Sequence, residues 1–389
     1  MPFSAAISTA HETTRAIDEV CNRALGELQG TPDLALVFFS AHHAEEAETI
    51  AQSLQQRLSP RCLMGCTGEA IVGNDQEIEK NPAVSLWLGR WPQPVQMEAF
   101  HLILEQTSDG VSMLGWPDGL MQANPENAAI LLLGDPFTFP TDAFLQQVNE
   151  EHPKLRVMGG MASGGRGPGE SRLLQGDQSP IEGAVGILLQ GPIPMRSIVS
   201  QGCRPIGQPM VITKGHGNII EELGGQPPLV RLQQLWKSLS PRDQQLFQQG
   251  LHIGRVINEY KSEFQRGDFL VRNVLGLDRE TGSLAITDAV RLGQTVQFHV
   301  RDAESADEDL RALLQTDRSA NKARPGGALV FTCNGRGTRL FGAPHHDAGA
   351  VRQEMGVLPL AGFFAQGELG PVGGQNFIHG FTASVVLFE

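Results

Sequence analysis

The segment Leu63-Met64-Gly65-Cys66-Thr67-Gly68-Glu69, an apolar strand that runs into a glycine turn, recurs twice more along the chain. The second copy is Val157-Met158-Gly159-Gly160-Met161-Ala162-Ser163-Gly164-Gly165, and the third is Leu360-Ala361-Gly362-Phe363-Phe364-Ala365-Gln366-Gly367-Glu368. Another apolar strand begins 30 residues before Gly65 and Gly159 and 34 residues before Gly362, at Ala35, Ala129 and Ala328, and the stretch between has a helical pattern. This shared spacing predicts a duplicated strand–helix–strand unit.

Further features extend each copy in the same order. An apolar strand follows each glycine turn, at residues 84–88, 185–189 and 383–387. After the first two copies comes a Pro-x-Pro break, at Pro92/Pro94 and Pro192/Pro194, which leads into one more strand. Apolar strands and glycine turns are common in unrelated proteins, but four features that keep their order favour duplication.

The composition limits the classes of partner. The 389 residues include 30 basic and 43 acidic side chains, for a net charge of −13, so the global basic footprint of a nucleic-acid-binding protein is absent. Five cysteines are an odd and sparse set, which is typical of a reducing compartment. No secretory signal or run of about 20 apolar residues is present. We therefore expect a soluble, cytoplasmic protein with neither nucleic acid nor membrane as partner.

The predicted fold class is α/β of the mixed α+β kind, with repeated strand–helix–strand units forming mixed sheets covered by helices. We predict a helical lead-in over residues 1–28, a domain with two repeats over 29–205, and a domain over 206–389 that combines a β-rich segment with the third repeat. The sheets either pack face to face with helices outside or are mixed sheets with helices outside. The strand order stays open at this point.

The glycine turns are the first candidates for a binding site. Glycine adopts positive φ and lets backbone N–H groups approach a ligand, and successive amides bind a carboxylate or phosphate. Ligands of open α/β sheets also favour crevices beyond the carboxyl ends of strands. Alternatively, these glycines only turn the chain or let elements pack closely. The candidate ligand-binding residues are Gly65, Cys66, Thr67, Gly68, Glu69, Gly160, Ser163, Gly164, Asn334, Arg336, Gly367, Glu368, Asn376 and His379.

Charged side chains beside the turns suggest the kind of ligand. A buried Glu69 or Glu368 could hold an ammonium group, and Arg336 could hold a carboxylate through two hydrogen bonds. That pairing suits an amino acid. The alternative for each of these residues is a solvated charge beside a turn.

Cysteine chemistry is the enzymatic alternative. Cys333 ends an apolar strand close to Arg336, which would lower the pKa of its thiol, and Cys66 lies in the first glycine turn. His345, His346 and His379 are candidate bases in the same region. Most cysteines are small buried apolar residues, however. No zinc-type spacing and no nucleotide-binding or serine-hydrolase motif occurs, so we expect neither a metal nor a cofactor.

The most specific sequence motifs lie near the C-terminus, at residues 333–337, 362–371 and 376–382. Together they resemble the FIST family, which is found in bacterial signal-transduction proteins and eukaryotic F-box proteins. Residues 65–69 and 159–165 are similar to the N-terminal half of that family and residues 202–207 to its C-terminal half, so the resemblance covers about 30–389. It implies a two-part FIST N and FIST C architecture and an intracellular ligand-sensing module, and it brings no agreed catalytic residues.

Three functions remain open. The leading hypothesis is a non-enzymatic sensory domain in signal transduction that binds a small metabolite, with amino acids among the candidates. It would need a signalling partner protein in trans, because no kinase, receiver, methyl-accepting or F-box segment is recognisable. The alternatives are a cysteine-dependent enzyme that uses Cys333 or Cys66 and a protein-interaction scaffold.

Overall fold

The computed structural model describes residues 2–28, 30–107 and 110–389. The first part of the chain runs through β1 (Phe3–Ser8), α1 (Thr13–Leu28), β2 (Leu34–Ser40), α2 (Ala47–Leu58), β3 (Cys62–Gly68), β4 (Ala70–Gly73), β5 (Gln76–Glu79) and β6 (Val84–Gly89). The next part consists of β7 (Gln96–Thr107), β8 (Gly110–Leu114), β9 (Ala128–Gly134), α3 (Thr141–Glu151), β10 (Arg156–Met161), β11 (Leu173–Gln175), β12 (Ala184–Gln190) and β13 (Met195–Gln201).

The remaining elements include both strands and helices. They are β14 (Cys203–His216), β15 (Ile219–Leu223), α4 (Pro228–Ser238), α5 (Pro241–Gln249), β16 (Leu251–Val256), β17 (Phe269–Leu277), β18 (Leu284–Ile286), β19 (Thr295–Arg301) and α6 (Ala303–Ala320). The chain ends with β20 (Gly327–Cys333), α7 (Thr338–Phe341), α8 (His346–Met355), β21 (Leu360–Ala365), β22 (Glu368–Val372), β23 (Gln375–His379) and β24 (Thr382–Phe388).

The three predicted copies share one strand topology. In each, the first strand is central, pairs in parallel with the strand that ends in the glycine turn, and pairs antiparallel with the third strand. The three sets are β6-β2-β3, β12-β9-β10 and β24-β20-β21. The predicted α/β class and its duplicated units are confirmed.

The strand after each Pro-x-Pro break joins the next copy. β7 extends the sheet of the second copy beside β12, and β13 extends that of the third beside β24. β1 takes the corresponding place beside β6 in the first copy. The predicted helical lead-in therefore contains α1 but begins with a sheet strand.

The copies also exchange strands after each glycine turn. β4 and β5 of the first copy extend the third sheet beside β21, and β22 and β23 of the third extend the second beside β10. β11 of the second copy pairs with β3 of the first. Each sheet is thus completed by another copy, in a cycle, and each glycine turn is the point where the chain crosses between sheets.

The sheets share one core. Alternate residues of β2 point to opposite faces: Leu34, Leu36 and Phe38 join an apolar core common to all three sheets, whereas Val37 and Phe39 pack under α1 and α2. α3 covers the outer face of the second sheet, and α6 with α8 covers that of the third. Because the strands are buried on both faces, their sequences are almost continuously apolar.

The chain divides into two compact units. One contains Met1–Val199, Leu310–Ile378 and Thr382–Glu389, and the other contains Ser200–Asp309 and His379–Phe381. The second is built on a closed six-stranded barrel, β14-β15-β18-β17-β16-β19, with an apolar core of its own. The sequence predicts the third copy as part of the C-terminal domain, but its contacts group it with the first two copies, because β4 and β5 complete its sheet.

In the described part of the chain, no helix is both long and apolar enough to cross a bilayer.

Candidate functional site

We call the three glycine turns, where the chain crosses between sheets, the crossovers. They meet at Ser163, whose side chain is completely buried. Its hydroxyl accepts a hydrogen bond from the Glu69 amide at 2.7 Å and donates one to the Phe364 carbonyl, so it joins all three copies. The backbone N–H of Ser163 donates to Thr67 O, and that of Gln366 donates to Met161 O. The crossovers therefore converge as expected, but these amides are bonded within the protein and are not presented to a ligand.

The glycine that opens each turn permits close approach of two strands. Gly65, Gly159 and Gly362 lie opposite Val37, Leu132 and Val330 in the parallel ladders, and a β-carbon would overlap the carbonyl oxygen of that partner in every copy. The glycines further along, Gly68, Gly160, Gly164 and Gly367, sit against neighbouring crossovers: a β-carbon at Gly160, for example, would lie 3.0 Å from the Ala365 methyl.

The polar side chains of the first crossover are either buried or bonded within the protein. Cys66 is fully buried, and burial raises the pKa of its thiol well above the ordinary value, which removes it as a nucleophile at neutral pH. Thr67 is also buried, and its hydroxyl accepts from the Arg172 amide at 3.1 Å. Glu69 lies at the surface and forms an ion pair with Arg339 at 2.5 Å. Of the two glutamates predicted to hold an ammonium group, Glu69 is therefore exposed and Glu368 is buried.

A polar cluster follows β20 in the third copy, and we call it the Arg336 cluster. It consists of Glu77, Cys333, Asn334, Arg336, Asp347 and Glu368. Arg336 is completely buried and donates to both carboxylate oxygens of Asp347, each at 2.7 Å. Burial raises the pKa of Asp347, but the Arg336 guanidinium outweighs this and holds it well below its usual value. The two residues form a buried, bidentate ion pair.

Two further carboxyl groups of the cluster are kept neutral. Burial raises the pKa of Glu368 to about 8, although bonds from Thr382, the Arg336 charge and the Cys333 thiol all act to lower it. Burial and the charge of Asp347 likewise raise the pKa of Glu77 to about 8. Near pH 7 both groups are mostly protonated, so the charge of Arg336 is balanced by Asp347 alone.

Several buried polar atoms of the cluster form no hydrogen bond of ordinary geometry with the described residues. One oxygen of Glu368 accepts from the Thr382 amide at 3.1 Å and from the Thr382 hydroxyl at 2.7 Å, and one oxygen of Glu77 accepts from the Ala348 amide at 2.9 Å. The atoms that have no hydrogen-bond partner of ordinary geometry among the described residues are Glu77 Oε2, Asn334 Oδ1, Arg336 Nη1 and Glu368 Oε1. Such atoms are rare in native proteins and need an explanation.

Two predicted site residues lie elsewhere. Asn376 is an anchor between copies: its side chain accepts from the Val157 amide at 2.8 Å and donates to Leu155 O at 2.7 Å. His379 is buried and belongs to the unit that contains the barrel. A surface cavity of about 450 Å³, lined in part by Asn74, Asp75 and Arg352, contains none of the predicted residues.

The sequence analysis did not predict Glu77 and Asp347 as site residues. Glu77 reaches the cluster because β5 crosses into the third sheet, and no local sequence pattern predicts that crossing. Asp347 lies in the first turn of α8, where an acidic side chain is ordinary. Within the residues that the structure covers, no three His, Cys, Asp or Glu side chains are grouped so as to hold a metal ion.

Comparison with known proteins identifies the family. The model of the FIST N domain matches residues 33–226, and that of the FIST C domain matches residues 229–371. An uncharacterized protein of Mycobacterium tuberculosis is 41% identical over 389 residues, which is 100% of both chains. One of Mycobacterium bovis is 41% identical over 391 residues, covering 100% of this chain and 99% of its own. The chain therefore belongs to the FIST family, whose domains are generally sensory domains of signal transduction.

Proposed function

We propose that this protein is a non-enzymatic sensory domain that binds a small zwitterionic metabolite, with an amino acid as the best fit, in the Arg336 cluster. One observation carries the proposal: unused donor and acceptor atoms of complementary type are buried around one guanidinium. Leaving a buried polar group unsatisfied costs about 1–3 kcal/mol. A ligand that satisfies several of these atoms would recover that free energy.

The unused atoms match the two ends of an amino acid. Arg336 Nη1 is a charged donor suited to a carboxylate, whereas Glu368 Oε1 and Asn334 Oδ1 are acceptors suited to an ammonium group. An ammonium group beside Glu368 would favour the ionised carboxyl. Binding would then release a proton near neutral pH, since Glu368 is mostly protonated in the empty site.

The route of entry would pass the rim of the cluster. Cys333 and Asn334 are only half-buried there, and the exposed Arg339 donates to Asn334 O at 3.0 Å and to Glu69 at 2.5 Å. A surface ion pair of this kind contributes about 0–1 kcal/mol. Opening the rim would therefore cost little, and it would change the contact between the first crossover and α7, a change that a partner protein in trans could detect.

The test is a thermal-shift screen of the purified protein against the common amino acids and small organic acids. A ligand at 100 times its Kd stabilises a folded protein by about 2.7 kcal/mol, enough to raise Tm by several degrees. We expect at least one amino acid to raise Tm in a concentration-dependent way. Failure of every compound in both classes would overturn the proposal.

Glu368→Gln is the variant that locates the effect. Its carbonyl oxygen can still accept from Thr382, but the unused acceptor becomes an amide N–H, so the stabilisation by an amino acid should be lost. Glu98→Gln is the matched control, because the Glu98 carboxylate also accepts two hydrogen bonds, in its case from the backbone amides of Asp118 and Gly119. This control should keep the full response. An unchanged response in Glu368→Gln would place the ligand outside the Arg336 cluster.

A further inference from the structure

We propose that Cys333 is a redox modification site, whose thiol is oxidised by hydroperoxides to the sulfenic acid. The proposal stands apart from metabolite binding, since it concerns a covalent change at the rim and needs no bound ligand. Three features carry it: the access of the thiol, the charge beside it, and an unused carboxyl oxygen that can take its proton.

Access distinguishes Cys333 from the other cysteines. It is the last residue of β20 and is half-buried, whereas Cys21, Cys62, Cys66 and Cys203 are all buried. Burial also raises the pKa values of the thiols of Cys21, Cys62 and Cys66. A reagent in solution therefore meets Cys333 before the other four.

A hydrogen-bond donor and a positive charge lie beside the sulfur of Cys333. The Gly335 N–H donates to its sulfur at 3.4 Å, and the sulfur lies close enough to Arg336 that the charges of the two groups influence each other. A guanidinium and a backbone amide both stabilise negative charge on sulfur. The thiolate is the form of cysteine that attacks peroxides.

Glu368 is placed to accept the proton of the thiol. It is completely buried, its Oε1 has no partner of ordinary geometry in the described part of the chain, and the Cys333 thiol lies near enough to affect its titration. Because its pKa is about 8, a fraction of Glu368 is ionised at pH 7.5 and can accept a proton.

The step balances with a hydroperoxide as oxidant. In the minority of molecules in which Glu368 is ionised, its carboxylate accepts the thiol proton, and the sulfur attacks the terminal oxygen of the hydroperoxide. A sulfur–oxygen bond forms and the oxygen–oxygen bond breaks. The leaving alkoxide, or hydroxide from hydrogen peroxide, takes the proton back from Glu368 as alcohol or water. Sulfur loses two electrons and the peroxide gains them. The new oxygen of the sulfenate is an acceptor beside Arg336 Nη1, a buried donor that is otherwise unused.

The experiment treats the full-length protein with hydrogen peroxide at pH 7.5, traps sulfenic acid with dimedone and maps the adduct by peptide mass spectrometry. We expect the adduct on Cys333 and not on the four buried cysteines, and its loss in Cys333→Ser. Glu368→Gln should slow oxidation of Cys333 at least threefold, while Glu98→Gln leaves the rate unchanged. The other cysteines report whether each variant stays folded, since unfolding would expose them.

Two results would overturn the proposal. One is oxidation of Cys333 no faster than that of the same cysteine in the urea-unfolded chain. The other is an equal rate in Glu368→Gln and Glu98→Gln while the buried cysteines stay protected. Neither result bears on the thermal-shift screen, which uses reduced protein, so this proposal and the proposed function can fail independently.

Discussion

In each of the three crossovers, the first glycine is required by the packing of the backbone, independently of any ligand. Gly65, Gly159 and Gly362 occupy the same place in their copies, and at each of them a β-carbon would overlap a carbonyl oxygen of the neighbouring strand. Their shared spacing in the sequence thus reflects a steric requirement of parallel strand pairing. The turns do converge, as the binding-site interpretation of the glycines predicts, and these three glycines are needed for packing, as the alternative interpretation predicts.

Gly362→Ala should destabilise the protein. The added methyl group would collide with Val330 O in a fully buried strand, and overpacking of this kind costs about 1–3 kcal/mol. Urea unfolding would measure the loss. Gly349→Ala is the control, because Gly349 lies in α8 with open space around it and helix propensity favours alanine there. Equal effects of the two substitutions would contradict the steric account.

Ser163→Ala tests the convergence of the crossovers. It would leave the Glu69 amide and the Phe364 carbonyl without the hydroxyl that joins them, at a cost of about 1–3 kcal/mol for each buried group left unsatisfied. Ser85→Ala is the matched change, since Ser85 is as deeply buried but its hydroxyl has no partner among the described residues. We expect a clear fall in the urea midpoint for Ser163→Ala and little change for Ser85→Ala.

At the scale of elements, the segment after the central strand of each sheet carries a buried polar side chain. These residues are His43 after β2, Asp135 after β9 and Arg336 after β20, and each has one atom without a partner in the described ranges. His43 and Arg336 lie three residues after their strands, whereas Asp135 follows its strand directly. Only the third copy adds a buried counter-ion and two neutral carboxyl groups, which is why we place the ligand there.

The exchanged strands depend on side-chain anchors, and Asn376 is one of them. Asn376→Ala should destabilise the protein, because the Val157 amide and Leu155 O would lose their partners, at about 1–3 kcal/mol each. The amino-acid response in the thermal-shift screen should survive. Asn81→Ala, at an exposed asparagine, should leave the urea midpoint unchanged. A lost ligand response in a folded Asn376→Ala protein would restore Asn376 to the binding site.

At the scale of the whole molecule, strand periodicity predicted the three copies but not their exchange. Residues 34–40 and 128–134 are almost wholly apolar, so their identity as strands is local information. Which sheet β4 or β11 joins is decided by partners far along the chain, in β21 and β3. The site divides in the same way: Arg336 and Glu368 could be proposed from their motifs, whereas the burial of Arg336 depends on Asp347 and on β5 arriving from another copy.

The neutral carboxyl groups make stability depend on pH. Burial raises the pKa of Glu368 from 4.5 to about 8, so the folded state binds its proton more tightly than the unfolded state does. Its contribution is full below pH 4.5 and is lost as pH rises towards 8. Glu368→Gln should therefore make the fall in unfolding free energy between pH 5.5 and 7.5 shallower, by about 1.4 kcal/mol per pH unit at most. Urea titrations at three pH values would show this, and parallel curves for the two proteins would refute it.

The central claim is that the Arg336 cluster holds the ligand, and hydrogen–deuterium exchange tests it most directly. Exchange would be measured with and without the compound that stabilises most in the screen. We predict slower exchange at residues 333–338 and 366–370 and no change in the barrel at residues 203–301. Protection confined to the barrel, or none at 333–338 under saturating compound, would contradict the account.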